Sequence, residues 1–520
     1  MLLNRAERHA DAVAAYRALR AEGHALPAYV LVRAADSLLA ERRPDEAAAL
    51  FEEALRATPE DFDARILLAY AYAESERFED AYALLERLRV EEPAFARAPG
   101  ARRSFANPRH LEADTNLALM RAYGQDTVGA QATLESLVAI GPANAGLQSA
   151  LGSVYAIRGW PARALERHRM ASTLDPRHVG ASIGTVETLS ALGRDDLARA
   201  PREALLAEHP RNTQVLRMER DWRVRRGWQA RIDAASGRSE GSAESPLGSR
   251  DGSVAIEVES PLLRDRWRLT AHAQDAWADF RGDRVRDRRA GAGIAYRFDR
   301  IAVAAGADRA NDDWAGDRTG AYARGTWEID DVWSVGLGWR SRTPDASLQA
   351  RRAGITADAL AFDLAWVPSE RTRVDIGARR LRYDDGNVRT SLALDGAQRV
   401  RTRPHFTLDA LASLYASRGT DDDVPYFNPE RDASARLGLR AEHVAWRRYE
   451  WRFVQRATLS AGPYRQRGFG TAWVPQLRYE HDWQLGPGRH LQYGLGWSRP
   501  VYDGARETYL AFDLGLRWGD

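Results

Sequence analysis

Strict alternation of apolar and polar residues in the second half of the chain is the feature that most restricts its fold. In LQYGLGWS (491–498), every second residue from Leu491 to Trp497 is apolar. VWSVGLGWRS (332–341) repeats the pattern. Successive side chains of a β-strand point to opposite faces, so each stretch predicts a strand with one apolar face. That face must be covered by a second sheet or by lipid.

The length of these runs separates the two possibilities. A soluble sandwich uses strands of about five or six residues, whereas a membrane barrel needs about 9 to 11. Many runs here reach about ten residues, and Trp or Tyr often ends the apolar face, as expected for an aromatic girdle. We count about sixteen strands between Gln229 and Trp518, an even number typical of an antiparallel outer-membrane β-barrel.

The connections between these strands alternate in length, as expected for a barrel with short turns at one rim and longer loops at the other. Tight turns are predicted at 299–300, 330–331, 368–369, 448–449 and 486–487. Longer polar links are predicted at 309–318, 342–351 and 419–431.

The first half has a different period. Prolines stand at Pro59, Pro93, Pro142, Pro176 and Pro210, and three of the four intervals are 34 residues. An alanine lies twelve residues before each, at Ala47, Ala81, Ala130, Ala164 and Ala198. A small residue lets two helices approach closely, and a proline ends a helix. The pattern resembles the tetratricopeptide repeat and predicts an α-solenoid, a fold that offers a concave binding surface. We predict a repeat domain at 1–215 and a barrel at 216–520.

Two irregularities interrupt the repeats. The interval from Pro93 to Pro142 is longer than the others, which predicts a loop or extra turn at 94–108. At the start, RHADAVAAYRAL (8–19) matches the second helix of a repeat, so its first helix would precede Met1. We therefore expect the natural chain to extend N-terminally and to carry a signal peptide, which is not visible here. The alternative is a genuine short start with a frayed half-repeat.

The composition of the chain restricts the kinds of ligand and partner that it is expected to bind. The 75 basic and 73 acidic residues nearly cancel, so no overall field indicates nucleic acid. The chain has no cysteine, which excludes disulfides and thiolate zinc sites, and we expect neither a metal nor a cofactor.

Motifs near the C-terminus indicate what passes through such a barrel. YFNPERD (426–432), GPYRQRGFGT (462–471) and PVYDGARE (500–507) resemble the PgaA family of poly-β-1,6-N-acetyl-D-glucosamine export porins, and SPLLRDRWRL (260–269) fits as well. The resemblance implies an outer-membrane pore, without enzymatic activity, for a partially de-N-acetylated biofilm polysaccharide. It also implies that the periplasmic repeats dock the deacetylase. Because this chain is shorter than the family pattern, we expect the family's further repeats to lie N-terminal to it.

A pore for such a polymer needs acidic groups on its inner wall, because free glucosamine amines are cationic. Ordinary lumenal polarity explains any single inward carboxylate equally well, so the candidates are proposed as a set. Alternation turns six carboxylates inward: Glu257, Glu259, Asp363, Asp375, Asp409 and Asp513.

Other functions remain open at this point. An exporter of cellulose or another neutral polysaccharide would share the architecture. A barrel anchor with an occluded lumen would use the repeats as a docking arm. An outer-membrane enzyme would need a nucleophile near a histidine, but the chain has no GxSxG motif. The run Asp421-Asp422-Asp423 imitates a calcium or glycosidase site, although a solvated loop explains it more simply.

Overall fold

A computed structural model describes residues 1–97, 100, 102–241, 245–314 and 316–519. The chain divides into two compact units, one formed by Met1–Leu189 with Leu197–Arg220 and the other by Ser190–Asp196 with Asp221–Asp520. The first unit is helical, and the second consists mainly of β-strands. The boundary predicted between residues 215 and 216 falls inside a helix and stays a proposal about domain architecture.

Antiparallel helix pairs build the first unit. Within the described residues the helices are α1 (Leu2–Arg5), α2 (His9–Ala21), α3 (Ala28–Ala40), α4 (Pro44–Ala57), α5 (Phe62–Glu74), α6 (Phe78–Glu91), α7 (Pro108–Tyr123), α8 (Thr127–Ile140), α9 (Ala145–Ile157), α10 (Pro161–Leu174), α11 (Val179–Ala191), α12 (Asp195–Glu208) and α13 (Thr213–Arg226). None of these described helices has the length and apolar character that a bilayer crossing requires.

The periodic alanines and prolines do what their spacing predicts. Each alanine lies in the second helix of a pair, and all five side chains are fully buried. Each proline follows the end of that helix by two residues, as Pro59 follows Ala57. The repeat architecture predicted from the sequence is confirmed.

The two predicted irregularities are both visible. In the insertion at 94–108, Phe95–Ala96 pairs with Phe105–Ala106 as a short hairpin, while residues 98, 99 and 101 lie outside the described part. At the start, α2 covers the segment predicted as the second helix of a repeat, and the four-residue α1 precedes it.

Sixteen described strands form the barrel. They are β1 (Gln229–Gly241), β2 (Arg250–Glu259), β3 (Trp267–Phe280), β4 (Asp283–Phe298), β5 (Ile301–Asp312), β6 (Gly316–Glu328), β7 (Trp333–Arg340), β8 (Ala357–Ser369), β9 (Thr372–Tyr383), β10 (Val388–Arg403), β11 (Phe406–Gly419), β12 (Arg431–Arg448), β13 (Trp451–Gln466), β14 (Gly470–Leu485), β15 (Arg489–Ser498) and β16 (Ala505–Trp518). A short helix, α14 (Leu348–Arg352), lies in the link between β7 and β8.

The barrel is closed. Each strand pairs antiparallel with the next, and β16 pairs with β1 from Trp518 opposite Ala230 to Glu507 opposite Gly241. Closure satisfies the backbone donors and acceptors that an open edge would expose to lipid. Because the strand number is even, β1 begins and β16 ends at the same rim. We call this the terminal rim and the opposite one the distal rim.

The outer wall of the barrel is apolar. Leu337, Leu437 and Leu495 are each at least 60% exposed although they lie within strands. Trp451 and Trp518, also exposed, mark the terminal rim. An exposed apolar wall edged by tryptophan is the surface expected in contact with lipid.

Three predicted connections need correction. The link predicted at 309–318 is mostly strand, because β5 runs to Asp312 and β6 starts at Gly316. Its polar residues belong to the ladder, where Arg309 forms a 2.5 Å ion pair with Asp317. Where strands extend beyond the apolar band, their polar residues have the composition of a loop. The turns predicted at 368–369 and 448–449 lie at 370–371 and 449–450. A bulge near Ser369 accounts for the first shift, since it lengthens β8.

Candidate functional site: the barrel lumen

Alternation along the strands places all six predicted carboxylates on the lumenal wall. On β8, for example, Leu360 and Phe362 are exposed on the outer wall, so Asp363 points inward. The same rule applies beside Ile256, Leu414 and Phe512. The positions are Glu257 and Glu259 on β2, Asp363 on β8, Asp375 on β9, Asp409 on β11 and Asp513 on β16.

Five of the six carboxylates bind an arginine. The nearest oxygen–nitrogen distances are 3.5 Å for Glu257 to Arg324, 3.6 Å for Glu259 to Arg268, 2.6 Å for Asp375 to Arg373, 2.8 Å for Asp409 to Arg440, and 2.6 Å for Asp513 to Arg478. Asp409 also lies 3.1 Å from Arg399 and is almost fully buried. These negative charges are locally balanced, so a cationic ligand would have to displace or share an arginine.

Asp363 differs from the other five. Among the described residues it has no ion-pair partner, and its side chain is exposed to the lumen. It lies opposite Gly336 on β7 and Gly377 on β9. A Cβ atom at Gly377 would come within 3.4 Å of the Asp363 carboxylate. The two glycines therefore leave space around an unbalanced negative charge.

A second open carboxylate, Asp395 on β10, was missed by the sequence analysis. It lies opposite Asp375, is exposed, and has no ion-pair partner in the described part of the chain. The alternation rule would have found it, because Leu392 and Leu394 occupy the outward positions just before it.

The open carboxylates share one lumenal cavity of about 810 Å³. Asp363, Asp375 and Asp395 line it together with Tyr415. An adjoining cavity of about 530 Å³ is lined by Asp375, Asp395 and Asp409. The structure thus brings three of the predicted residues together along β8 to β11. Glu257, Glu259 and Asp513 line neither cavity.

Three links meet at the distal rim. The link at 341–356 carries α14, whose Arg351 is buried against the lumenal Asp287 in an ion pair and donates to the Thr343 carbonyl at 2.9 Å. The backbone N–H of Phe427, in the link at 420–430, donates to Gln349 at 2.7 Å. Its ring lies 5.1 Å from that of Tyr502 in the link at 499–504. The distal mouth of the lumen is therefore crossed by loops that contact one another.

A closed antiparallel barrel with an apolar outer wall and a charged lumen, in a chain that begins with helical repeats, defines an outer-membrane β-barrel protein with a repeat domain. The chain belongs to the family described as the PgaA membrane beta barrel domain, whose model matches residues 224–518. A tetratricopeptide repeat model matches residues 38–102.

Two curated relatives are both called poly-beta-1,6-N-acetyl-D-glucosamine export protein, one from Escherichia coli strain K12 and one from E. coli O157:H7. Each is 26% identical over 524 residues, a match that covers 98% of this chain and 64% of the relative. A solved structure titled "Bacterial polysaccharide outer membrane secretin" is 26% identical, with a TM-score of 0.52, and the match covers 57% of this chain and 99% of that one.

Family membership locates the two parts of the chain. The barrel lies in the outer membrane, and the repeats lie in the periplasm. Because α13 leads directly into β1, the terminal rim is the periplasmic rim and the distal rim faces the cell exterior.

Proposed function

We propose that this protein is the outer-membrane export pore for partially de-N-acetylated poly-β-1,6-N-acetyl-D-glucosamine. Support comes from membership of the barrel family and from the name that both curated relatives carry. The matched region is 64% of those relatives, so the substrate is assigned here on the chemistry of the lumen as well.

The observation that carries the proposal is the pair of open carboxylates, Asp363 and Asp395, in one lumenal cavity with Tyr415. A free glucosamine amine is a cation, and an unbalanced carboxylate attracts it across the lumen. A tyrosine offers a ring on which a sugar can lie. Several weak sites along a wall, rather than one tight site, suit a polymer that must enter and also leave.

The protein acts in this scheme as a conduit and not as a catalyst, because the polymer leaves chemically unchanged. The periplasmic repeats dock the deacetylase that produces the free amines, using the concave surface typical of such solenoids. The outer wall is in contact with outer-membrane lipid.

A complementation experiment tests this function. In a host that lacks the gene, the wild-type chain should restore polymer at the cell surface. The double variant Asp363→Asn/Asp395→Asn should restore several-fold less and leave polymer in the periplasm. Asp317→Asn, which removes a carboxylate on the outer wall, serves as the matched control. Normal surface polymer without the protein would contradict the proposal.

A scaffold with a permanently closed lumen is the second candidate, because three links meet at the distal mouth. This candidate predicts that substitutions which break the contacts between those links leave the amount of polymer at the cell surface unchanged.

A further inference from the structure

Five arginines lie together on the outer wall of the barrel near its distal rim. On β11, β12 and β13 the outward positions are identified by exposed Leu414, Leu437 and Leu459. On β9 they are identified by register, because Arg380 lies opposite the exposed Leu360 of β8. Counting in steps of two from those positions identifies outward arginines, all of them exposed. They are Arg380 and Arg382 on β9, Arg418 on β11, Arg431 on β12 and Arg465 on β13, and we call them the arginine patch.

The ladder register brings these arginines close together. Arg380 lies opposite Thr390, Thr390 lies opposite Arg418, and Arg418 lies opposite Arg431, so three arginines share one row across four strands. Directly opposed residues on neighbouring strands have Cβ atoms about 5 Å apart, and like charges at that distance repel. A row of this kind is stabilised by an anion that bridges it.

In the part of the chain that the structure describes, no acidic side chain is bound to these arginines. Within the residues that the structure describes, none of the five arginines forms an ion pair or a side-chain hydrogen bond. The carboxylate nearest to them in the ladder, Asp358 opposite Arg382, accepts the backbone N–H of Arg342 at 2.8 Å. Glu430 is bound to Arg467.

The other side of the same barrel provides an internal comparison. On β1 to β6, five outward arginines toward the distal rim form an ion pair with an acidic residue, and a sixth, Arg250, forms none among the described residues but lies opposite Asp279 in the ladder. The pairs are Arg238–Glu240, Arg284–Asp279, Arg286–Asp275, Arg288–Asp313 and Arg309–Asp317. Among the described residues, ion pairs therefore balance five of these six rim arginines, whereas the five arginines of the patch on β9 to β13 form none.

Below the arginine patch the wall becomes apolar. Leu392 on β10, Leu414 on β11 and Leu437 on β12 lie there, each more than half exposed. A ligand that contacts both the arginine patch and the apolar wall below it would carry phosphate groups at the patch and acyl chains along the wall. Arginine binds phosphate with paired hydrogen bonds, and the outward distal rim lies at the level of the outer-leaflet headgroups. We propose that the arginine patch binds the phosphate groups of a phosphorylated glycolipid of the outer leaflet, such as lipopolysaccharide.

Binding of purified lipopolysaccharide to the detergent-solubilised full chain tests the site. The triple variant Arg380→Gln/Arg418→Gln/Arg431→Gln should bind about tenfold more weakly or worse, because it loses the shared row. The matched control is Arg284→Gln/Arg286→Gln/Arg309→Gln, which removes the same charge from paired arginines and should bind within about twofold of the wild type. A heat-dependent shift in gel migration verifies that each barrel is folded. Equal losses in both triple variants, or none in either, would overturn the assignment.

A second measurement uses only the wild-type protein. Affinity should fall about tenfold when the glycolipid phosphates are removed enzymatically and the acyl chains are kept. Inorganic phosphate at millimolar concentration should not displace the intact glycolipid, because it makes no contact with the apolar wall. Equal binding of the dephosphorylated lipid would refute a phosphate site, and displacement by free phosphate would reduce the patch to a general anion site.

Discussion

At the scale of single residues, the lumen is defined by which carboxylates lack a partner. Asp409 is held by two arginines, whereas Asp363 stands between two glycines with none among the described residues. Two residues of one type, on the same wall, thus differ in their availability to a passing cation. Under the proposed function, the open pair Asp363 and Asp395 is where a cationic sugar would reach a carboxylate without displacing an arginine.

This difference predicts the response to neutral substitutions. Asp363→Asn should raise the concentration of glucosamine oligomer needed for half-block of the channel by about fivefold, roughly 1 kcal/mol, because one attractive charge is lost. Single-channel recording with a titrated oligomer measures the effect. Fully N-acetylated oligomers provide the control. Because they carry no amine, their effect on the current should be the same in the wild type and in Asp363→Asn. An unchanged half-block concentration for the cationic oligomer would remove Asp363 from the pathway.

In the repeats, His168 predicts how stability depends on pH. It is almost fully buried in α10, and a Cβ at Gly152 or Gly184 would come within 3.0 Å of its ring. Burial, with a smaller effect from the charge of His178, lowers the pKa of His168 from 6.5 to about 4. The folded state therefore favours the neutral ring. The contribution of His168 to the free energy of unfolding is full above pH 6.5 and is lost as the pH falls toward 4.

The predicted cost of protonation is about 3 kcal/mol between pH 7 and pH 4. Urea unfolding of the full chain can be followed by the helical circular dichroism signal. The urea concentration at the midpoint of unfolding of the repeats should decrease as the pH is lowered from 7 to 4. His168→Gln should flatten that dependence. A midpoint that falls equally in both proteins would assign the acid sensitivity to other groups.

At the scale of elements, helix pairs depend on one small residue per repeat. Ala130 on α8 is fully buried against its neighbours, while Ala132 on the same helix is exposed. Ala130→Leu should destabilise the repeats by about 1–3 kcal/mol through overpacking. Ala132→Leu, with the same added volume on the same helix, should stay within about 0.5 kcal/mol. Thermal unfolding compares the two variants, and equal effects would contradict the packing role of the periodic alanine.

The link at 341–356 lies at the distal mouth and is anchored to the lumenal wall. Its Arg351 is buried among lumenal charges and pairs with Asp287, and breaking such a pair from one side costs several kcal/mol. Arg351→Ala should therefore release α14 and increase the open fraction of the channel several-fold in bilayer recordings. Arg309→Ala on the outer wall is the control. An unchanged open fraction would mean that the link does not limit conduction.

At the scale of the whole molecule, the two periods of the sequence predict both halves of the fold. The 34-residue spacing placed five alanines that all prove to be buried, and the two-residue alternation placed six carboxylates on the lumenal wall. Both patterns are local, so a single sequence reveals them.

What the sequence could not predict depends on register between strands. Asp513 is neutralised by Arg478, two strands away, and Asp363 is left open by glycines on β7 and β9. Neither relation follows from the residues around each aspartate. The link predicted at 309–318 failed for a related reason, because polar residues of extended strands look like a loop until their cross-strand partners are known.

Ion conductance of the full chain in a planar bilayer is the most direct test of the central claim, a pore for a cationic polysaccharide. The account predicts cation-selective openings, more frequent in Arg351→Ala, that are transiently blocked by glucosamine oligomers added at the periplasmic rim and not by fully acetylated ones. Anion selectivity, or openings that the cationic oligomers never block, would contradict it. If neither the wild type nor Arg351→Ala conducted, the second candidate function, a scaffold with a permanently closed lumen, would be favoured.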